Sequence, residues 1–177
     1  MIAYKAITER IKNNNGLVTA LNVVDKTITY ITIIFYVGYL IYGFSIKSQD
    51  GGSLLYRSIL VPGISFLLVS LYRKTVSSPR PYQVYDFVPA LNKDTEGKSF
   101  PSRHAFSIFM VAFTLLQTSL PLCIIVFIMG VLLSIIRVVG GVHFIKDVVA
   151  GFAIASIISI ICYGILYGVF GLLMLPF

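Results

Sequence analysis

The chain has 177 residues, 57% of them hydrophobic, with a mean hydropathy of +0.89 and a net charge of +7. Such apolarity excludes an ordinary soluble domain and indicates an integral membrane protein of one domain, spanning 1–177. In that setting the excess positive charge is assigned to basic residues facing anionic lipid or to a phosphorylated substrate, and no nucleic-acid partner is expected. Cys123 and Cys162 both lie in apolar runs, which suits packed thiols rather than a disulfide framework or a metal set.

In chain order, residues 1–16 read as a short amphipathic helix with apolar Ile2, Ala6, Ile7 and Ile11, stopped by Asn13-Asn14-Asn15-Gly16. Residues 1–24 are expected to form an interfacial segment on the membrane surface, not a cleaved signal. The first spanning helix is predicted from about Thr27 to Ile46, where the chain becomes apolar for the roughly 20 residues a bilayer requires. A turn at Lys47 to Ser53 follows, then a second span from Leu54 to Tyr72, with a kink expected at Pro62-Gly63. Residues 73–101 form the one long polar connection, and long connections in compact proteins are usually functional or disordered. Tyr82, Tyr85 and Phe87 in it are expected to anchor the loop at the interface. Further spans are predicted at Ser102–Thr118, Leu122–Val139 and Phe144–Leu175, separated by Ser119-Leu120-Pro121 and Gly140-Gly141. The fold class is therefore all-α: a polytopic membrane bundle of about five transmembrane helices plus the N-terminal interfacial helix.

Polar residues concentrate in three clusters: Arg73…Arg80-Pro81, Pro101-Ser102-Arg103-His104, and Arg137…His143…Asp147. Five crossings bring all three to one membrane face. Charged groups near a bilayer are costly unless used, so the clusters suggest one anion site with acid/base or nucleophilic chemistry. Ser102 sits where the polar loop meets an apolar helix and is a candidate N-cap, beside backbone N–H groups that suit phosphate. His143 and Asp147 are four residues apart and share a helix face, so the carboxylate can fix the imidazole tautomer and free the other ring nitrogen. Asp147 needs a partner, and His143 and Arg137 are the candidates. Arg73, Arg80, Arg103 and Arg137 each offer forked donors to phosphate oxygens. Pro81 restricts Arg80 to an extended conformation.

These three clusters resemble the signature of the type 2 phosphatidic acid phosphatase superfamily, which also includes vanadium haloperoxidases. Its pattern is Lys, six residues, Arg-Pro; then Pro-Ser-Gly-His; then Ser-Arg, five residues, His, three residues, Asp. The order and all the spacings match from Arg73 to Asp147, about half of the chain. Arg73 stands for the usual Lys, Arg103 for the usual Gly, and Ile136 for the usual Ser. The resemblance implies a phosphatase without metal or other cofactor, with His143 as nucleophile, Asp147 orienting it and His104 as acid then base. It further implies that Arg73, Arg80, Ser102, Arg103 and Arg137 hold the phosphate.

The implied substrate is a membrane lipid phosphate in the bilayer: phosphatidylglycerol phosphate, phosphatidic acid or undecaprenyl pyrophosphate. Away from the active-site face the loops and helix starts carry only Lys47 and Arg57, so the positive-inside bias puts the site on the cytoplasmic side of what is expected to be a bacterial plasma membrane. The alternative is a non-catalytic member of the same fold that binds or transports phospholipid.

Overall fold

A computed structural model of the chain describes residues 2–45, 53–91 and 96–165. The elements are α1 (Ile2–Lys12), α2 (Asn15–Ser45), α3 (Ser53–Val76), α4 (Pro81–Val84), α5 (Arg103–Leu115), α6 (Leu120–Val139) and α7 (Ile145–Ser159). A π-helical stretch, Ile160–Ile165, extends α7. The described residues form no strand.

The bundle is organised around α5. Phe106, Ile108, Met110, Ala112 and Leu115 of this helix are all almost fully buried, and it packs against α2, α3, α6 and α7. At 13 residues it is about 20 Å long, short of the roughly 30 Å hydrocarbon core. Protein, not lipid, surrounds it, so it does not have to match the bilayer. The outer helices show the reverse pattern: Ile34, Leu68 and Ile128 are each at least 60% exposed, as lipid-facing side chains are. Among the described residues four helices are long and apolar enough to cross a membrane, with α5 the shorter fifth. Phe109, Phe127 and Phe152 pack edge to face, with centroids 4.8 to 5.9 Å apart, and tie α5, α6 and α7 together. Gly151 lets α7 approach α5 closely, because a Cβ there would lie 2.7 Å from the Ser102 carbonyl oxygen.

Several boundaries differ from the sequence reading. The first spanning helix begins at Asn15, not Thr27, so the separate N-terminal helix ends at Lys12 and residues 15–24 belong to the span's own helix. The asparagine tract that stops α1 also starts α2: the Leu17 N–H donates to Asn14 Oδ1 at 3.2 Å. Hydropathy marks where a helix meets lipid, and α2 extends some three turns beyond that. Helix α3 runs unbroken through Pro62. Proline lacks the N–H that would bond the Ser58 carbonyl, and the Tyr36 hydroxyl of α2 donates to that oxygen instead, at 2.7 Å. Phe87 is not an interface anchor. It is buried against the turn after α6, where a Cβ on Gly141 (φ +81°) would meet its ring at 2.7 Å. The turn from Lys47 to Gly52 and the stretch beyond Ile165 lie outside the described residues.

Helix α1 packs over the end of α6. Thr8 is fully buried and its hydroxyl donates to the Val139 carbonyl at 3.1 Å, satisfying one of the open carbonyls at that helix end.

Candidate active site

All three sequence clusters meet at one end of the bundle. Arg73 comes from the last turn of α3, and its Nη1 and Nη2 donate to the carbonyls of Pro101 and Lys98. Arg80 is held extended (φ −91°, ψ 160°), as Pro81 requires. Its Nε donates to the Gly97 carbonyl at 3.0 Å and its Nη1 to the Val142 carbonyl at 2.9 Å. Both guanidiniums are buried and cross-link α3, the loop 97–102 and the turn after α6. Gln83 adds a second staple: its Oε1 accepts from the N–H groups of Arg80 and Gly97, at 2.9 and 3.0 Å. Gly97 (φ +60°) and Lys98 (φ +53°) are left-handed in succession, which turns their carbonyls toward the arginines.

Asp147 lies in the first turn of α7 and is fully buried. Its Oδ2 accepts from the Phe144 N–H at 2.9 Å and from the Ser99 hydroxyl at 2.5 Å, and it lies 3.4 Å from His143 Nδ1. Ser99 Oγ is itself 3.4 Å from that nitrogen, so serine, carboxylate and imidazole form one compact group. The partner of Asp147 is thus His143, as expected, together with Ser99, and not Arg137. The Ser102 N–H donates to the Asp147 carbonyl at 2.8 Å, which joins the starts of α5 and α7 directly.

Burial pushes the His143 imidazole down from 6.5 to about 4; the Asp147 bond opposes this, while Arg80 and Arg73 add to it. The ring is therefore neutral at pH 7. Between about pH 6.5 and 4 the unfolded chain takes up a proton that the folded chain refuses, so stability must fall as pH falls through that window. The thermal midpoint in detergent is expected to drop more steeply from pH 7 to 4 in wild type than in His143→Gln. Equal slopes would assign the loss to other groups.

Ser102 caps α5 as expected, accepting from the Ala105 N–H at 3.5 Å. His104, the second residue of α5, is half-buried. Arg103 does not turn inward: it is exposed, with its guanidinium 5.9 Å from the centroid of the Phe66 ring. Both line a cavity of about 480 Å³ that runs between α2, α3 and α5, with Thr29, Thr32, Tyr36 and Phe66 among its walls.

Arg137 departs most from its expected setting. Its Nε lies 2.6 Å from Oδ1 of Asp25 and its Nη2 donates to Oδ2 at 2.7 Å. Asp25, Ser99 and Gln83 were not singled out in the sequence. Asp25 carried a signal, a carboxylate at the edge of an apolar run, which has to find a cation. Ser99 and Gln83 carried none, since serine and glutamine in a polar loop are unremarkable. Among the described residues no group of three or more His, Cys, Asp and Glu side chains is placed to hold a metal ion.

A helical membrane bundle that gathers two histidines, a buried carboxylate and several arginines at one end of the fold, beside an apolar cavity, has the make-up of a membrane lipid phosphatase. The family model of the PAP2 superfamily matches residues 54–170, and the chain belongs to that superfamily. Among solved structures it is similar to LpxE of Aquifex aeolicus, with a TM-score of 0.61 and 25% identity over 85% of this chain and 94% of that one. It is also similar to the first transmembrane PAP2-type phosphatidylglycerolphosphate phosphatase from Bacillus subtilis, with a TM-score of 0.63 and 25% identity over 99% of this chain and 87% of that one. No curated protein sequence matches it. The protein is an integral membrane lipid phosphatase.

Proposed function

We propose that the chain is a single lipid phosphatase domain of a bacterial plasma membrane. It removes a phosphate from a phosphomonoester or pyrophosphate lipid through a phosphohistidine, without a metal. The observation that carries this reading is the buried His143–Asp147–Ser99 group, within electrostatic reach of Arg80 and Arg73.

With Nδ1–H directed at Asp147, the lone pair on Nε2 of His143 attacks phosphorus. The N–P bond forms, the P–O bond to the lipid breaks, and the departing oxygen takes a proton from His104. The phosphoimidazole keeps its Nδ1 proton and is cationic, and the Asp147 carboxylate stabilises that charge. His104 then accepts a proton from water, whose oxygen attacks phosphorus and releases His143. Arg73, Arg80, Arg137, Ser102 and the α5 N-terminus hold the equatorial oxygens, where charge develops. His143 is only 1% exposed, so phosphate reaches it after the surrounding side chains shift, and turnover includes a conformational step.

The cavity beside His104 suits the lipid chain of the substrate, and Arg103 at its mouth suits a headgroup anion. Phosphatidylglycerol phosphate is the favoured substrate. The bias of basic residues toward the site end supports a cytoplasmic face, and one of the similar solved structures is a phosphatidylglycerolphosphate phosphatase. The test is phosphate release from phosphatidylglycerol phosphate, phosphatidic acid and undecaprenyl pyrophosphate by purified protein with EDTA present. Release with EDTA supports the mechanism and the preferred lipid names the substrate; activity that EDTA abolishes overturns the metal-free step.

Ser99→Ala is expected to lower kcat by about tenfold with little change in KM, because it leaves a buried carboxylate short of one donor. Among the described residues Asp147 Oδ1 has no hydrogen-bond partner, so the loss falls on the oxygen that faces His143. A raised KM with unchanged kcat would assign Ser99 to loop structure alone.

A further inference from the structure

Helix α2 lies outside the segment that matches the family, yet it reaches the site. Asn22, Asp25, Thr29, Thr32 and Tyr36 recur every three or four residues and so share one face. Asn22 Nδ2 donates to the Ala90 carbonyl at 3.1 Å, next to the turn after α6. Thr29, Thr32 and Tyr36 wall the cavity. Between these two groups sits Asp25, paired with Arg137.

The pair is side-on. Asp25 lies along the Nε–Nη2 edge of the guanidinium, with one hydrogen bond from Nη2 and an ionic contact at Nε, and so leaves Nη1 and the second Nη2 proton as the opposite end. Both side chains are largely buried, at 7% and 13% exposure. Arg137 also lies within electrostatic reach of Arg80. Without a counter-charge these cations would repel one another in a poorly solvated place, and Arg137 would be free to turn away.

We propose that Asp25 is a positioning residue of the phosphate site. Its carboxylate holds Arg137 by one edge, aims the other end at the substrate phosphate, and offsets the repulsion within the arginine cluster. The inference rests on the reading that Arg137 binds phosphate. A carboxylate that merely occupied the place of phosphate would do the opposite and weaken binding.

Orthovanadate binding to the purified full chain distinguishes these cases, measured by titration calorimetry for wild type, Asp25→Asn, Asp25→Glu and Arg137→Ala. Positioning predicts vanadate affinity about 10- to 100-fold weaker in Asp25→Asn, as small misplacements of an aligned group cause. Asp25→Glu keeps the charge but shifts the guanidinium by a methylene. It is expected to weaken binding with a thermal midpoint close to wild type. Folded Asp25 variants that bind vanadate as tightly as wild type, or more tightly, overturn the proposal, and tighter binding identifies Asp25 as a competitor of phosphate. Loss of folding in both variants assigns the pair to structure alone. Wild type that binds no vanadate, or Arg137→Ala that binds it normally, overturns the phosphate-site reading itself.

Discussion

His143→Ala is expected to reduce phosphate release by on the order of 10⁴-fold or more, the largest effect of any single change in this protein. The ring carries the only attacking atom in the proposed mechanism, and neither of its neighbours can take over. Asp147 turns its bonded oxygen to Ser99, the Phe144 N–H and His143, and lies fully buried. His104 is the acid, and attack by water aided by His104 and the arginines alone gives only residual activity. The substitution also leaves Asp147 short of a partner, so His143→Gln is the companion variant that keeps the volume. Two readings check the result: phosphate release, and capture of an acid-labile phosphoenzyme after brief exposure to labelled substrate. Wild type is expected to yield the phosphoenzyme and both variants none. Activity within tenfold of wild type in a folded His143→Gln protein would sink the nucleophile assignment.

His104→Ala is expected to slow turnover of natural lipid phosphates by about 10²- to 10⁴-fold, the range for loss of a general acid-base group. The effect should depend on the leaving group in a way that loss of His143 does not. An alkoxide needs the proton of His104 to depart, whereas a nitrophenolate does not. With p-nitrophenyl phosphate the first step therefore survives, while the second, which needs His104 to activate water, remains slow. The variant is expected to release one equivalent of nitrophenolate in a burst and then stall as the phosphoenzyme. The half-buried position of His104 on the cavity wall places it where a lipid leaving group would lie. A steady rate with no burst and equal loss on both substrates would move His104 out of the acid-base role.

Much of the chemistry was legible before any fold was known. In an apolar chain a charged side chain is retained only where it has work, so Arg73, Arg80, Arg137, His143 and Asp147 stand out by their cost alone. Their spacing carried the family resemblance, and the parity of the crossings placed them on one face. Local chemistry was legible too: Pro81 predicted the extended Arg80, and the polar-to-apolar step predicted the Ser102 cap.

Helix starts were harder, because the hydropathy signal follows the lipid and not the backbone. Helix α2 begins twelve residues before its apolar run, and nothing local says that Asn14 should cap it. The fate of Pro62 was likewise undecidable locally: the helix continues through it, and Tyr36, on another helix, supplies the donor that the Ser58 carbonyl lacks. By itself, then, the sequence determined the class of fold and which polar clusters come together, since composition, spacing and crossing number are properties of the chain alone. Only the tertiary structure decided which partner each group takes. Asp25 finds Arg137 across 112 residues and Ser99 finds Asp147 across 48. Such pairs form because a buried charge must be compensated somewhere, and which somewhere depends on how the helices pack.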